Sequence, residues 1–172
     1  MAVDKGAVLS ACGLYRYYLY RSWDATLPRM GGVMLNPSTA DAEVDDPTIR
    51  RVVSFAEDFG FGRVDVCNLF AYRATEPDEL LTVLSPDHEP GNPHANTTAL
   101  RMMCDHVDKI VIAWGNPEIA SIRGAGKGAI KMMREWWGKK VYALKINKGG
   151  EPGHPLYLPG DSTLIEYTGE HP

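Results

Sequence analysis

Three polar side chains sit where an apolar run stops or in the loop that follows one. Asn36 ends GGVML, Asn68 ends RVDVC, and His154 lies in the glycine- and proline-rich loop after VYALKI. Two carboxamides and an imidazole can orient a water, read a planar hydrogen-bonding edge and stabilise a departing anion. Pro37 and Ser38 shape the turn after Asn36, because proline offers no N–H to continue a strand and holds the preceding residue extended. Asp41, Asp45 and Asp46 are the nearby carboxylates for general-base work, Asp46 being more economically a helix cap. Phosphate-loop chemistry is not expected: in Arg123-Gly124-Ala125-Gly126-Lys127-Gly128 a glycine follows the lysine where serine or threonine belongs. His88, Glu89 and His94 could be imagined as a metal site, yet the two histidines lie across a proline-broken loop without a recognisable third ligand, so no metal is expected.

The elements that must position these groups follow from hydrophobic periodicity. Residues 31–35, 63–70, 109–115 and 141–146 read as short buried strands. Asp46 as N-cap and Pro47 at the first helical position open a helix carrying Ile49, Val52, Val53, Ala56 and Phe59, which Gly60 and Gly62 close. Further helices are expected from Glu76 through Leu81, over 95–107, and before 141, where Ile130, Met133 and one of Trp136 and Trp137 face the core. LYRYYLYRSW, residues 14–23, suits a half-buried strand or hairpin at a sheet edge. Strand and helix alternate as in a parallel sheet covered on both faces, which delivers Asn36, Asn68 and His154 to one edge. The expected fold is therefore α/β: a three-layer α/β/α arrangement with a four-stranded parallel central sheet and an N-terminal edge strand or hairpin. One domain is expected over 1–172, with its core at about 30–160.

Composition narrows the classes. At 172 residues, 44% hydrophobic and 23% charged, the chain fits an ordinary globular core. No apolar run approaches the ~20 residues of a membrane span, and the N-terminus lacks a secretion pattern, so a cytoplasmic location is expected. Cys12, Cys67 and Cys104 form no C-x-x-C pair and read as structural or inert thiols. The net charge of −4 argues against a basic nucleic-acid coat, although most lysines and arginines of 101–150 are not matched by acids.

Several blocks, in order, resemble the uracil-DNA glycosylase superfamily, especially its mismatch-specific thymine/uracil branch. GGVMLNPSTAD is similar to that branch's strand ending in a Gly-x-Asn-Pro-Gly/Ser turn, DPTIRRVVSFAEDFGF to its next helix, and VDVCNLFAYRATEP to its Asn-Leu-x-x-Arg-x-Thr strand end. KIVIAWGNPEIA and GHPLYLP resemble its later strand-to-helix element and its closing His-Pro loop. The chain also resembles an uncharacterised family of small bacterial and phage proteins built on these same blocks. The resemblance implies a glycosylase-like fold and a DNA glycosylase: Asn36 holds the attacking water, Asn68 bonds the base edge and His154 stabilises the leaving base, without cofactor. DNA with a flipped, plain or modified base is the implied partner. The loop after Asn36 is shorter than in that branch and lacks its stacking phenylalanine, for which Phe70 or Tyr72 can substitute. Arg50, Arg73, Arg123 and Lys127 are candidates for backbone phosphates. Repair, phage biology and defence remain open as roles. Two alternatives stay open as well: a non-catalytic nucleotide or nucleic-acid recognition domain, and a hydrolase or transferase for free nucleosides.

Overall fold

A computed structural model gives the structure over residues 4–116 and 120–169; the side chains of 120–123, Arg123 among them, lie outside the described residues. The strands are β1 Asp4–Leu9, β2 Arg16–Ser22, β3 Arg29–Met34, β4 Arg63–Asn68, β5 Lys109–Ile112, β6 Val141–Ala143 and β7 Ile165–Glu166. The helices are α1 Pro47–Asp58, α2 Ala95–His106 and α3 Ala120–Lys131, the last running into a π-helical turn at Met132–Trp136. All seven strands form one sheet in the order β1-β2-β4-β3-β5-β6-β7. Its middle, β4-β3-β5-β6, is parallel. The β1–β2 hairpin adds antiparallel to β4, and β7 adds antiparallel to β6.

The protein is thus α/β, but its sheet is mixed and wider than the four-stranded parallel layer expected. The added strands have a physical role, because β4 and β6 would otherwise present unpaired backbone at both edges of the parallel region. Two observed strands, β5 and β6, are also shorter than their apolar runs. Trp114 and Leu144 remain buried beyond the last ladder pairs.

Alternation along the strands sorts the core into two halves. Val33, Cys67, Ile110, Ile112, Val141 and Ala143 pack with Leu100, Met103 and Cys104 of α2 and with Ala129 and Met133 of the α3 segment. Met30, Met34, Val64, Val66 and Val111 pack with Ile49, Val52, Phe55 and Ala56 of α1. Helices therefore cover both faces, as period-2 strands with two apolar faces require. Close approach of α2 needs Gly31 on β3: a Cβ there would lie 2.9 Å from Val107 Cγ2. Of the adjacent tryptophans Trp136 is exposed, while Trp137 is half-buried against the core. No helix among the described residues is long and apolar enough to cross a membrane.

Helix α1 begins as its sequence dictates. Asp46 is extended, its Oδ1 accepts the Ile49 N–H at 2.8 Å, and Pro47 occupies the first turn, where a missing N–H costs nothing. This fixes the N-terminal end of α1 beside the carboxyl ends of the parallel strands.

Candidate active site

From β3 the chain crosses through α1 to β4 on one side; from β5 it crosses through α3 to β6 on the other. Neighbouring strands that depart in opposite directions leave a crevice beyond their carboxyl ends. There the protein has a cavity of about 900 Å³, lined by Asn36, Asn68 and His154 together with Arg16, Asp46, Trp114 and others. The three residues that sequence spacing brings to one edge thus share one cavity.

Asn36 is held by its amide nitrogen. Nδ2 donates to the carbonyls of Ala74 (2.8 Å) and Pro37 (3.0 Å), and two carbonyl acceptors on one side fix which way the carboxamide faces. Its Oδ1 is left as the acceptor for a cavity occupant. Pro37 is buried behind this contact, its own carbonyl also accepting the Ala74 N–H, and does not line the cavity; Ser38 does.

Asn68 is the last residue of β4 and is 1% exposed. Neither its Oδ1 nor its Nδ2 has a hydrogen-bond partner among the described residues. Leaving a buried amide unsatisfied costs roughly 1–3 kcal/mol, so a carboxamide kept in this state at a cavity wall needs an explanation outside packing. Its backbone is fixed from α2, where Asn96 Nδ2 donates to the carbonyls of Asn68 (3.0 Å) and Leu69 (3.1 Å).

His154 precedes the 3-10 turn Pro155–Tyr157, and its Nδ1 accepts the Leu156 N–H at 3.3 Å. That bond assigns the proton of the neutral ring to Nε2, making Nε2–H a donor. Burial holds the imidazole below its ordinary pKa, with the Asp46 charge partly opposing. A neutral ring with one available donor suits stabilisation of an anion rather than delivery of a full charge.

The cavity contains residues that sequence reasoning did not place there. Trp114, beyond β5, is 2% exposed, and its Nε1–H donates to Glu151 at 2.7 Å. Gly126 lets α3 pass over the indole: a Cβ there would stand 3.0 Å from it. Tyr157, 80% exposed, sits at the rim with its ring centroid 5.4 Å from that of His154. Arg16 is almost fully buried; burial draws its pKa down to about 10, with the Asp46 charge acting against that. Its Nη1 donates to the Ala40 carbonyl at 2.7 Å, tying the loop after Asn36 to β2.

Other expected site residues lie elsewhere. Phe70 packs into the core shared with α2 and α3, and Tyr72 packs edge-on against Tyr15 at 5.5 Å; neither lines the cavity, so neither supplies a stacking ring there. Asp41 turns away too. Its carboxylate accepts the N–H groups of Glu43 and Val44 at 2.8 Å each, which hold its pKa below the usual range and make it a poor base. Arg73 spends its guanidinium on the carbonyls of Gly13, Ser38 and Thr39, and Arg50 donates to the Asp45 carbonyl at 2.6 Å. Lys127 is exposed on α3 and outside the cavity lining. His94 lines a separate groove beside α2.

No curated protein and no solved structure matches the chain. A family model does match, over residues 16–156, a span that contains β2 through the His154 loop and every cavity residue named above except Tyr157. The chain belongs to that family, which is described as "protein of unknown function (DUF1643)".

Proposed function

We propose that the protein is a metal-independent N-glycosyl hydrolase of the uracil-DNA glycosylase type, removing a plain or modified base from DNA. The observation that carries this reading is the unpartnered, buried carboxamide of Asn68 in the same cavity as Asn36 and His154. A carboxamide offers one donor side and one acceptor side, which match an adjacent donor and acceptor on a base edge. Asn36 Oδ1 accepts from the attacking water, and His154 Nε2–H donates to the base as it leaves with the bonding electrons. The bond to the sugar breaks with positive charge on the sugar and negative charge on the base, so aimed dipoles count for more than a strong nucleophile. A cavity of about 900 Å³ is large enough for a flipped nucleotide with a substituent on its base.

A second reading, release of bases from free nucleosides, is favoured by Glu76 and Asp78 at the cavity wall, whose charges oppose a polyphosphate chain. One experiment separates the two. The protein is incubated with plain, deaminated and hypermodified DNA and with the corresponding nucleosides, and released bases are identified by mass spectrometry. The DNA reading expects a free base and alkali-labile sites from at least one polymer, abolished by Asn36→Ala. Release from nucleosides alone selects the second reading. Binding to DNA with no release from any substrate overturns both and leaves a recognition domain.

A further inference from the structure

Among the cavity residues, Asn36, Asn68 and neutral His154 can orient groups, but none readily takes the proton that an attacking water must lose. The buried carboxylate that shares their cavity is Asp46, 7% exposed, while Glu76 and Asp78 are exposed. Asp46 caps α1, which uses Oδ1 for the Ile49 N–H; Oδ2 has only a long contact of 3.4 Å from the Ala40 N–H. Among the described residues no cation lies within ion-pair distance of it. A desolvated carboxylate with a free lone pair beside a water-orienting amide is what hydrolysis through a sugar cation calls for.

We infer that Asp46 is a catalytic residue of this cavity, its carboxylate facing the sugar, countering the charge that builds there and accepting the proton of the attacking water. The inference rests on the base-excision reading. In the step, the water oxygen bonds to the anomeric carbon as the carbon–nitrogen bond breaks and its electron pair leaves with the base. The water's proton passes to Asp46 and then to solvent, and the base anion, held by His154 Nε2–H, takes a proton from solvent. Helix capping and catalysis use different oxygens of one side chain, so the two roles do not compete. The same placement makes Asp46 a charge felt by His154, which shares the cavity also with Arg16, Glu76, Asp78, Lys145 and Tyr157.

The test is Asp46→Asn, because asparagine caps a helix as well as aspartate does but carries no charge and accepts no proton. Base release is measured on the full chain with the DNA and nucleoside panel, thermal unfolding checks the fold, and the His154 ring is titrated by NMR. The expected result is unfolding close to wild type, a fall in base release of about 100-fold or more, and a His154 midpoint lower than in wild type. If the wild type releases base and the variant does so at the same rate, the assignment of Asp46 is wrong while the reading of the site stands. An unchanged His154 midpoint overturns the placement of the carboxylate beside the ring. If the wild type releases nothing from any substrate, the reading fails and the role of Asp46 fails with it.

Discussion

Three residues apart on β4, Asp65 and Asn68 are each 1% exposed, and their polar atoms are used in opposite ways. Asp65 is saturated: it accepts a short hydrogen bond from the Tyr18 hydroxyl and two more from Nε and Nη2 of Arg63, the latter at 2.7 Å. Arg63 Nη2 also donates to the Tyr18 hydroxyl at 3.1 Å, and its guanidinium lies 4.2 Å from the Tyr20 ring centroid. Asn68 has none of this. The first residue welds the hairpin to the parallel sheet, whereas the second faces a cavity. Within one strand, therefore, one buried polar group spends its atoms on its neighbours and holds the fold together, while the other keeps its carboxamide for the binding role proposed above.

The comparison breaks most visibly at Asp65. Replacing it with alanine strands a guanidinium and a phenol in a poorly solvated position, and the expected loss is about 3 kcal/mol, measured by urea unfolding. Base release at a temperature where the variant is folded should persist, because the network lies away from the cavity. A loss below about 1 kcal/mol would mean that the three side chains are held by β-pairing alone.

Asn68→Leu sharpens the other half. Leucine has nearly the shape of asparagine and removes two unsatisfied atoms, so unfolding should shift by no more than about 1 kcal/mol in either direction. Base release or base binding should nevertheless be lost. A variant destabilised as strongly as Asp65→Ala would show that the Asn68 carboxamide serves the fold, and the distinction drawn along β4 would vanish.

Much of this was legible in the sequence, where the signal was local. Short apolar runs, the Asp46-Pro47 helix start and the position of Asn36 and Asn68 at strand ends need only neighbours in the chain to be read. What was not legible depended on partners far along it. DKGAVL has no alternation of its own and becomes β1 by pairing with β2; Ile165–Glu166 is two residues long and becomes β7 only against Tyr142 and Ala143. Phe70 and Tyr72 come only two and four residues after Asn68, yet the chain there runs so that Ala71 accepts from the Arg16 N–H, and neither ring lines the cavity. Asp41 and Asp46 belong to one acidic loop and cannot be ranked by type. The turn that engages Asp41 and the helix that aims Asp46 separate them. Trp114 reads as the last apolar residue of a strand, and only the sheet order makes it a cavity wall.

The smallest expected effect is in pH, where the two regions should fail at opposite ends. Burial, and after it the Asp65 carboxylate, raises the Tyr18 hydroxyl above its ordinary value of 10.0. The unfolded chain then loses that proton first, so this contribution is complete below pH 10.0 and is lost as pH climbs beyond it. His154 behaves in reverse. Its folded value lies below the ordinary 6.5, so between the two the unfolded chain binds more protons and stability falls as pH drops through 6.5 toward the folded value. Asp24, Asp41 and Asp105, all held below the ordinary carboxylate value of 3.8, add their own losses only at lower pH. Urea midpoints of wild type and His154→Gln, taken from pH 7.5 to about 5, isolate the ring's share. The wild-type midpoint should decline more steeply over this interval than that of the variant, which has no imidazole to protonate. Parallel curves would mean that the ring is as well solvated as in the unfolded chain. Its Nε2–H would then face water instead of a low-dielectric cavity, and the stabilisation it can give a departing base anion would shrink accordingly.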